Sequence, residues 1–164
     1  MLTTETNIIP LFVHKEETIV TLSTNFIFMY ETTTQVRVRY AETDQMNIVY
    51  YGNYAQYFEV GRVESIRQLG YTYKDMEEQG VIMPVVELHI KYLRPATYDD
   101  LLTVKTQIRE LPENHRIEFY QEVYNEKNKM LTSGKVVLYF LDAETRNKVL
   151  MPEELKCKLL PFFN

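Results

Sequence analysis

One cysteine, Cys157, is all the thiol that this chain of 164 residues holds. A lone thiol closes no internal disulfide and builds no metal cluster, so a reducing cytoplasm is the expected compartment. Long apolar runs are also missing: none approaches the ~20 residues that cross a bilayer, and no transmembrane helix is expected. The opening MLTTETNIIPLFVHKEETIV carries Glu5, lacks a basic start and is interrupted by Pro10, His14 and Lys15, so it fails the pattern of a secretory signal and secretion is not expected. Basic charge is in deficit, 18 Lys and Arg against 23 Asp and Glu, and the net charge of -5 repels phosphate backbones and anionic membranes. Neither nucleic acid nor a membrane is an expected partner. Of the three histidines, His14 lies in the N-terminal stretch, His89 on an outward strand position and His115 after a turn, so none has the spacing of a metal set. With neither G-x-x-x-x-G-K nor G-x-G-x-x-G present, the usual nucleotide loops are absent, and neither a metal nor another cofactor is expected.

What is present is the material of one folded domain. At 45% hydrophobic and 25% charged residues the chain excludes disorder over most of its length, and its size leaves room for a single core. Thirteen Tyr and eight Phe mix apolar faces with hydroxyl tips. Residues 1–32 hold β-prone pieces, at 8–13, 18–22 and 25–30, without turn chemistry to join them. They are treated as an N-terminal extension, with 33–164 as the domain. Met29, just ahead of the first well-patterned strand, is a possible natural start.

Val36, Val38 and Tyr40 alternate with Arg37 and Arg39, which predicts a strand over 35–41. After an irregular stretch, Asn53 with Gln56 three positions on predicts a helix cap, and Gly70 a helix stop. A helix over 53–69, about 25 Å long, follows. Its stripe of Tyr54, Tyr57, Phe58, Gly61, Ser65, Ile66 and Leu69 is expected to be covered, with Gly61 and Ser65 letting a sheet approach. Four more strands are predicted at 83–93, 101–111, 116–125 and 134–142, joined as a meander after the second strand, and a helical tail at 153–160. In the first of these, Val86, Leu88, Ile90 and Tyr92 form the inward face. The order β-α-β-β-β-β belongs to the α+β class: an antiparallel sheet curled around one long central helix, whose open edges favour a dimer.

The run Tyr40-Ala41-Glu42-Thr43-Asp44-Gln45-Met46, followed by Val49-Tyr50-Tyr51-Gly52-Asn53-Tyr54, then Tyr57-Phe58-Glu59 and Arg62, resembles the hotdog-fold acyl-CoA thioesterases of the 4-hydroxybenzoyl-CoA thioesterase family. That resemblance covers about residues 35–160 and implies a hotdog fold, a homodimer or homotetramer, and hydrolysis of an acyl-CoA thioester. It also implies that Asp44 is the general base or nucleophile, that the backbone N–H of Tyr51 polarises the thioester carbonyl, and that Asn53 holds the motif's position at the helix start. Many members carry His where this chain has Tyr51 and Gly where it has Asn47, so no imidazole acts here.

The residues carry the same chemistry without the family. Thioester hydrolysis needs a base or nucleophile and a place for negative charge on the carbonyl oxygen. First-turn N–H groups of a helix lack intrahelical partners and sit at the positive end of its dipole, so the N–H of Tyr51 or Gly52 can meet that charge. Asp44, seven residues before Tyr51, can turn back to the same place. By attacking it forms a mixed anhydride, or it holds the water that attacks; the bland alternative is that it caps a turn. Tyr50, Tyr54, Tyr57 and Phe58 are candidates to line an acyl pocket, although such a stripe is more often plain core. Glu59 is expected to be ion-paired, with Arg62, or to help position water. Lys91, Arg94 and Lys105 can meet the phosphates of coenzyme A or remain solvated. Two other functions compete, a non-catalytic acyl-CoA binding module and a hotdog hydratase or dehydratase, the latter disfavoured by the missing imidazole.

Overall fold

The structure is a computed structural model, and it describes residues 28–163. The β-prone pieces at 8–13 and 18–22, and His14, lie outside the described residues.

Strand β1 runs Tyr30–Arg37, five residues earlier than the alternation predicts. Its first inward positions are Tyr30 and Thr32, and a polar Thr on a buried face does not register as alternation. A 3₁₀ turn at Tyr40–Glu42 takes over the expected end of this strand. Helix α1 spans Asn53–Gln68, with Gly70 at φ 72° just beyond it, the left-handed conformation expected of a helix-stopping glycine. At 16 residues, about 24 Å, it is the longest helix among the described residues. Asn53 is the first helical residue and not the cap: the cap position falls on Gly52, and the Asn53 amide donates to the Glu42 carbonyl instead (2.7 Å).

A six-residue helix α2, Tyr73–Glu78, follows, and the helix-stripe reading misses it. Its signal is a capping box, with Thr72 accepting from the Asp75 N–H and Asp75 accepting from the Thr72 N–H. Then come β2 (Val81–Ile82), β3 (Val85–Tyr92), β4 (Leu101–Ile108), β5 (Arg116–Tyr124), β6 (Met130–Tyr139), β7 (Leu141–Asp142) and helix α3 (Glu153–Leu159). The last long strand starts four residues before the expected Gly134, because Asn125 closes the preceding turn and Asn128 takes a positive φ.

Five strands form one antiparallel sheet in the order β1-β4-β5-β6-β3, so β4 to β6 are the expected meander; β2 and β7 make a separate two-stranded ladder. One face of the sheet is buried: Leu102, Val104 and Ile108 from β4, Ile117, Phe119 and Val123 from β5, and Val136 and Leu138 from β6. Against it lies α1 with Tyr57, Phe58 and Ile66, and Leu155 and Leu159 of α3 join the same core.

The helix seats on backbone and not only on side chains. A Cβ at Gly61 would meet Val104 at 2.6 Å and Gln121 at 2.8 Å, and one at Gly134 would meet the Phe58 ring and the His89 carbonyl. Buried Gln121 donates to the Phe58 carbonyl (2.8 Å), tying β5 to the middle of α1.

The edge strand β3 departs from its expected inward face. Val86, Leu88 and Tyr92 are exposed, and only Ile90 of the four is partly buried. Among the described residues no element covers them, and β3 pairs along one edge only, with β6.

Candidate active site

The polar stretch after β1 is folded tightly onto the start of α1. A bridge joins Thr43 to Val49, the Asp44 N–H donates to the Ile48 carbonyl, and the Asn47 N–H donates to the Asp44 carbonyl (both 2.9 Å). Asn47 takes φ 61°, a conformation that Asn tolerates and Gly prefers. Within this turn Oδ1 of Asp44 accepts the Met46 N–H at 2.8 Å. The Asp44 side chain is half-buried and caps its own turn.

Beneath the loop lies Glu42, buried at 5% exposure. Burial pushes its carboxyl up, but donors from the Arg39 backbone N–H, the Tyr57 hydroxyl and the Arg39 guanidinium hold it below the usual carboxylate range. Its backbone is engaged as well, the carbonyl accepting both the Tyr50 N–H and the Asn53 amide. One residue therefore fastens the loop to the first turn of the helix.

At that first turn the chain leaves donors free. No side chain caps α1 and no acid lies in its first turn. The Tyr50 carbonyl accepts the Asn53 N–H at 2.9 Å, while the Tyr51 and Gly52 N–H groups meet no protein acceptor among the described residues. Around them stand tyrosines: the Tyr50 and Tyr51 rings lie 4.4 Å apart, Tyr92 of β3 packs edge-on against Tyr51 and Tyr54, and its hydroxyl donates to the Tyr51 carbonyl at 3.1 Å. The Tyr50 hydroxyl is pushed up, first by its neighbour Tyr51 and in small part by the charge of Asp44.

Asp44, Tyr50, Tyr51, Gly52 and Asn53 thus share the loop and helix start, Asn53 serving as a strut. Tyr54 and Phe58, candidate pocket residues, are sealed into the core at 2% and 0% exposure, Tyr54 accepting the Ala96 N–H and Phe58 lying over Gly134. Glu59 is exposed and makes no ion pair with Arg62, because Arg62 turns inward beside Tyr73; the pair that forms on α1 is Arg67 with Glu64. Lys105 is bound to Glu31 (2.9 Å) and Arg94 to the Met130 carbonyl (2.9 Å), while Lys91 stays exposed. Three concavities of 490 to 670 Å³ lie over the β4–β5 hairpin and the outer sheet face, and none is lined by Asp44, Tyr51 or Gly52. In the single chain the helix start is an open surface, with Tyr51 at 62% exposure.

Two site residues escape the sequence reading. Glu42 stands in a polar run that reads as surface, and its one signal is the Arg39 three positions earlier. Tyr92 reads as an inward strand residue, and nothing in its spacing points to α1.

A model of the Thioesterase-like superfamily matches residues 38–159, which takes in the loop, α1 and every strand from β2 on; the chain belongs to that superfamily and is an enzyme of the thioesterase class. Among individual proteins it is similar to YneP of Bacillus subtilis, 46% identical over 82 residues, which span 50% of this chain and 59% of that protein. It is 34% identical over 122 residues to the acyl-CoA thioesterase YbgC of Haemophilus influenzae, covering 74% of this chain and 88% of the relative. The crystal structure of DHNA-CoA thioesterase from Staphylococcus aureus superposes with a TM-score of 0.70 at 37% identity, over 73% of this chain and 80% of that one. No helix among the described residues is long and apolar enough to cross a membrane.

Proposed function

We propose that this protein hydrolyses acyl-CoA thioesters to the free acid and coenzyme A, with Asp44 as general base or nucleophile and the helix-start N–H groups as oxyanion donors. The observation that carries this reading is the pair of free N–H groups at Tyr51 and Gly52, set beside a loop that Glu42 and Asn53 fasten in place. As the thioester carbonyl is attacked, negative charge grows on its oxygen, and donors already fixed at the positive end of α1 need no rearrangement to meet it. Water supplies the hydroxyl of the acid and the thiolate of coenzyme A leaves with a proton. Asp44 either removes a proton from that water or attacks first and is released when water opens the mixed anhydride. For either role it must exchange its hydrogen bond to Met46 for one to water or to the substrate.

The open helix start is completed by a second copy of the chain. Val86, Leu88 and Tyr92 on an edge strand with one row of backbone groups unpaired form a self-complementary border, and pairing two such edges continues the sheet across the dimer. In that assembly the sheet encloses both α1 helices, which is the full hotdog arrangement. Exposed Glu59 and Tyr50 then line the acyl chamber with the partner's surface. The similarity to acyl-CoA and DHNA-CoA thioesterases supports coenzyme A as the carrier, and the ring of tyrosines supports aromatic acyl groups among the substrates.

Release of free thiol from a panel of aliphatic and aromatic acyl-CoA thioesters tests the reading. Asp44→Ala is expected to lower kcat by at least ~100-fold. Full activity in that variant, or binding of acyl-CoA with no thiol release by the unmodified protein, removes it. Leu88→Lys should yield monomers by sedimentation and lose turnover with them, while a fully active monomer would refute the shared chamber.

A further inference from the structure

Resting on that reading, the geometry points to Tyr92 as the residue that positions the oxyanion donor. Its hydroxyl donates at 3.1 Å to the Tyr51 carbonyl, which belongs to the same planar peptide as the Gly52 N–H. Fixing the oxygen of a peptide fixes its N–H on the opposite side. A hydrogen bond accepted at the carbonyl also polarises the N–H, which strengthens it as a donor.

The helix itself holds this peptide poorly. The preceding peptide is anchored by a good bond, Asn53 N–H to the Tyr50 carbonyl at 2.9 Å, but the next helical bond, Tyr54 N–H to the Tyr51 carbonyl, is stretched to 3.4 Å. Because the site has no capping side chain either, the Tyr92 hydroxyl is the shorter of the two contacts that orient this peptide. Its ring is steadied in turn by edge-on contacts with Tyr51 at 6.3 Å and Tyr54 at 5.5 Å, so the hydroxyl is aimed from a braced platform. Tyr92 also belongs to β3, the edge strand offered to a second copy. Assembly and the setting of the donor thus share one strand.

Tyr92→Phe in the full chain is the test, since it removes one oxygen and keeps both ring contacts. The expected result is a loss of about 3- to 10-fold in kcat with KM unchanged, the scale of one neutral hydrogen bond acting only as charge develops. In the ¹H–¹⁵N spectrum of the folded protein the Gly52 amide is expected to shift, while Gly70 and Gly80, at the far end of α1 and after α2, stay in place. The inference falls if kcat is unchanged, if KM rises in step with a falling kcat, or if the Gly52 amide does not move. Asp44→Ala run alongside separates the two levels. If Asp44→Ala loses turnover and Tyr92→Phe does not, only the role of Tyr92 is wrong; if neither loses turnover, the catalytic reading fails with it.

Discussion

Two helices of this chain begin in opposite ways. At α2 the first turn is closed by a reciprocal pair, Thr72 and Asp75, each accepting the backbone N–H of the other. At α1 there is no capping side chain and no acid in the first turn, and the two N–H groups just ahead of it meet no protein oxygen among the described residues. Six residues earn a full cap while sixteen go without. The proposed function gives the open donors of the longer helix a use, as a place for a ligand's oxygen, whereas the shorter helix closes its first turn with its own side chains.

The contrast can be broken at three points. Gly52→Pro should have the largest effect: φ at Gly52 is -64°, which proline adopts, and a β-carbon there meets the exposed, movable side chain of Tyr50. Removal of that donor is expected to lower kcat by roughly 10²- to 10³-fold in the thiol-release assay, with a smaller loss of melting temperature because proline also restricts Tyr51 in the turn closed by Asn53. Next comes Glu42→Gln, which replaces a buried, charge-assisted hydrogen-bond acceptor and should cost about 2 kcal/mol by denaturant unfolding at pH 7. Its pH dependence has a definite sign. The folded carboxyl titrates below its unfolded value, so its stabilisation is complete above about pH 4.3 and disappears as pH falls through the lower, folded value. The gap between the two proteins should therefore close in acid and stay constant from pH 6 to 8. Smallest is Thr72→Ala, which strips the cap of α2: about 1 kcal/mol of stability should be lost while kcat and KM keep their wild-type values. A fall in turnover there would mean that the two helix starts are not independent.

Much of this arrangement is legible from the residues alone, and the exceptions have physical causes. The loop and α1 can be read because Tyr54, Tyr57, Phe58, Gly61 and Ile66 repeat at helical spacing and Gly70 ends the run. The meander of β4 to β6 can be read because one face of each strand is covered within the chain. In β3 the alternation of Val86, Leu88 and Tyr92 is real but only indicates that a face is to be covered, not whether this chain or another covers it. Asn53 resembles a cap, yet its amide is drawn to the Glu42 carbonyl, and a long-range bond of that kind leaves no trace in local spacing. Glu42 is hidden for the same reason: Arg39 and Tyr57 make its burial tolerable, and they stand three residues before it and fifteen after it. Tyr30 and Thr32 open β1 without the apolar rhythm that would disclose it.

The bare backbone at Gly61 and Gly134 bears on how the reactive end of this enzyme can evolve. Val104, Gln121 and the Phe58 ring occupy the volume that any β-carbon would need at these two positions. A methyl at either place has to displace these groups, so the spacing of rod and bed depends on both positions staying bare. On the proposed reading, retuning to bulkier or slimmer acids falls to the rim, where side chains can be exchanged one at a time, and not to the depth of the seat.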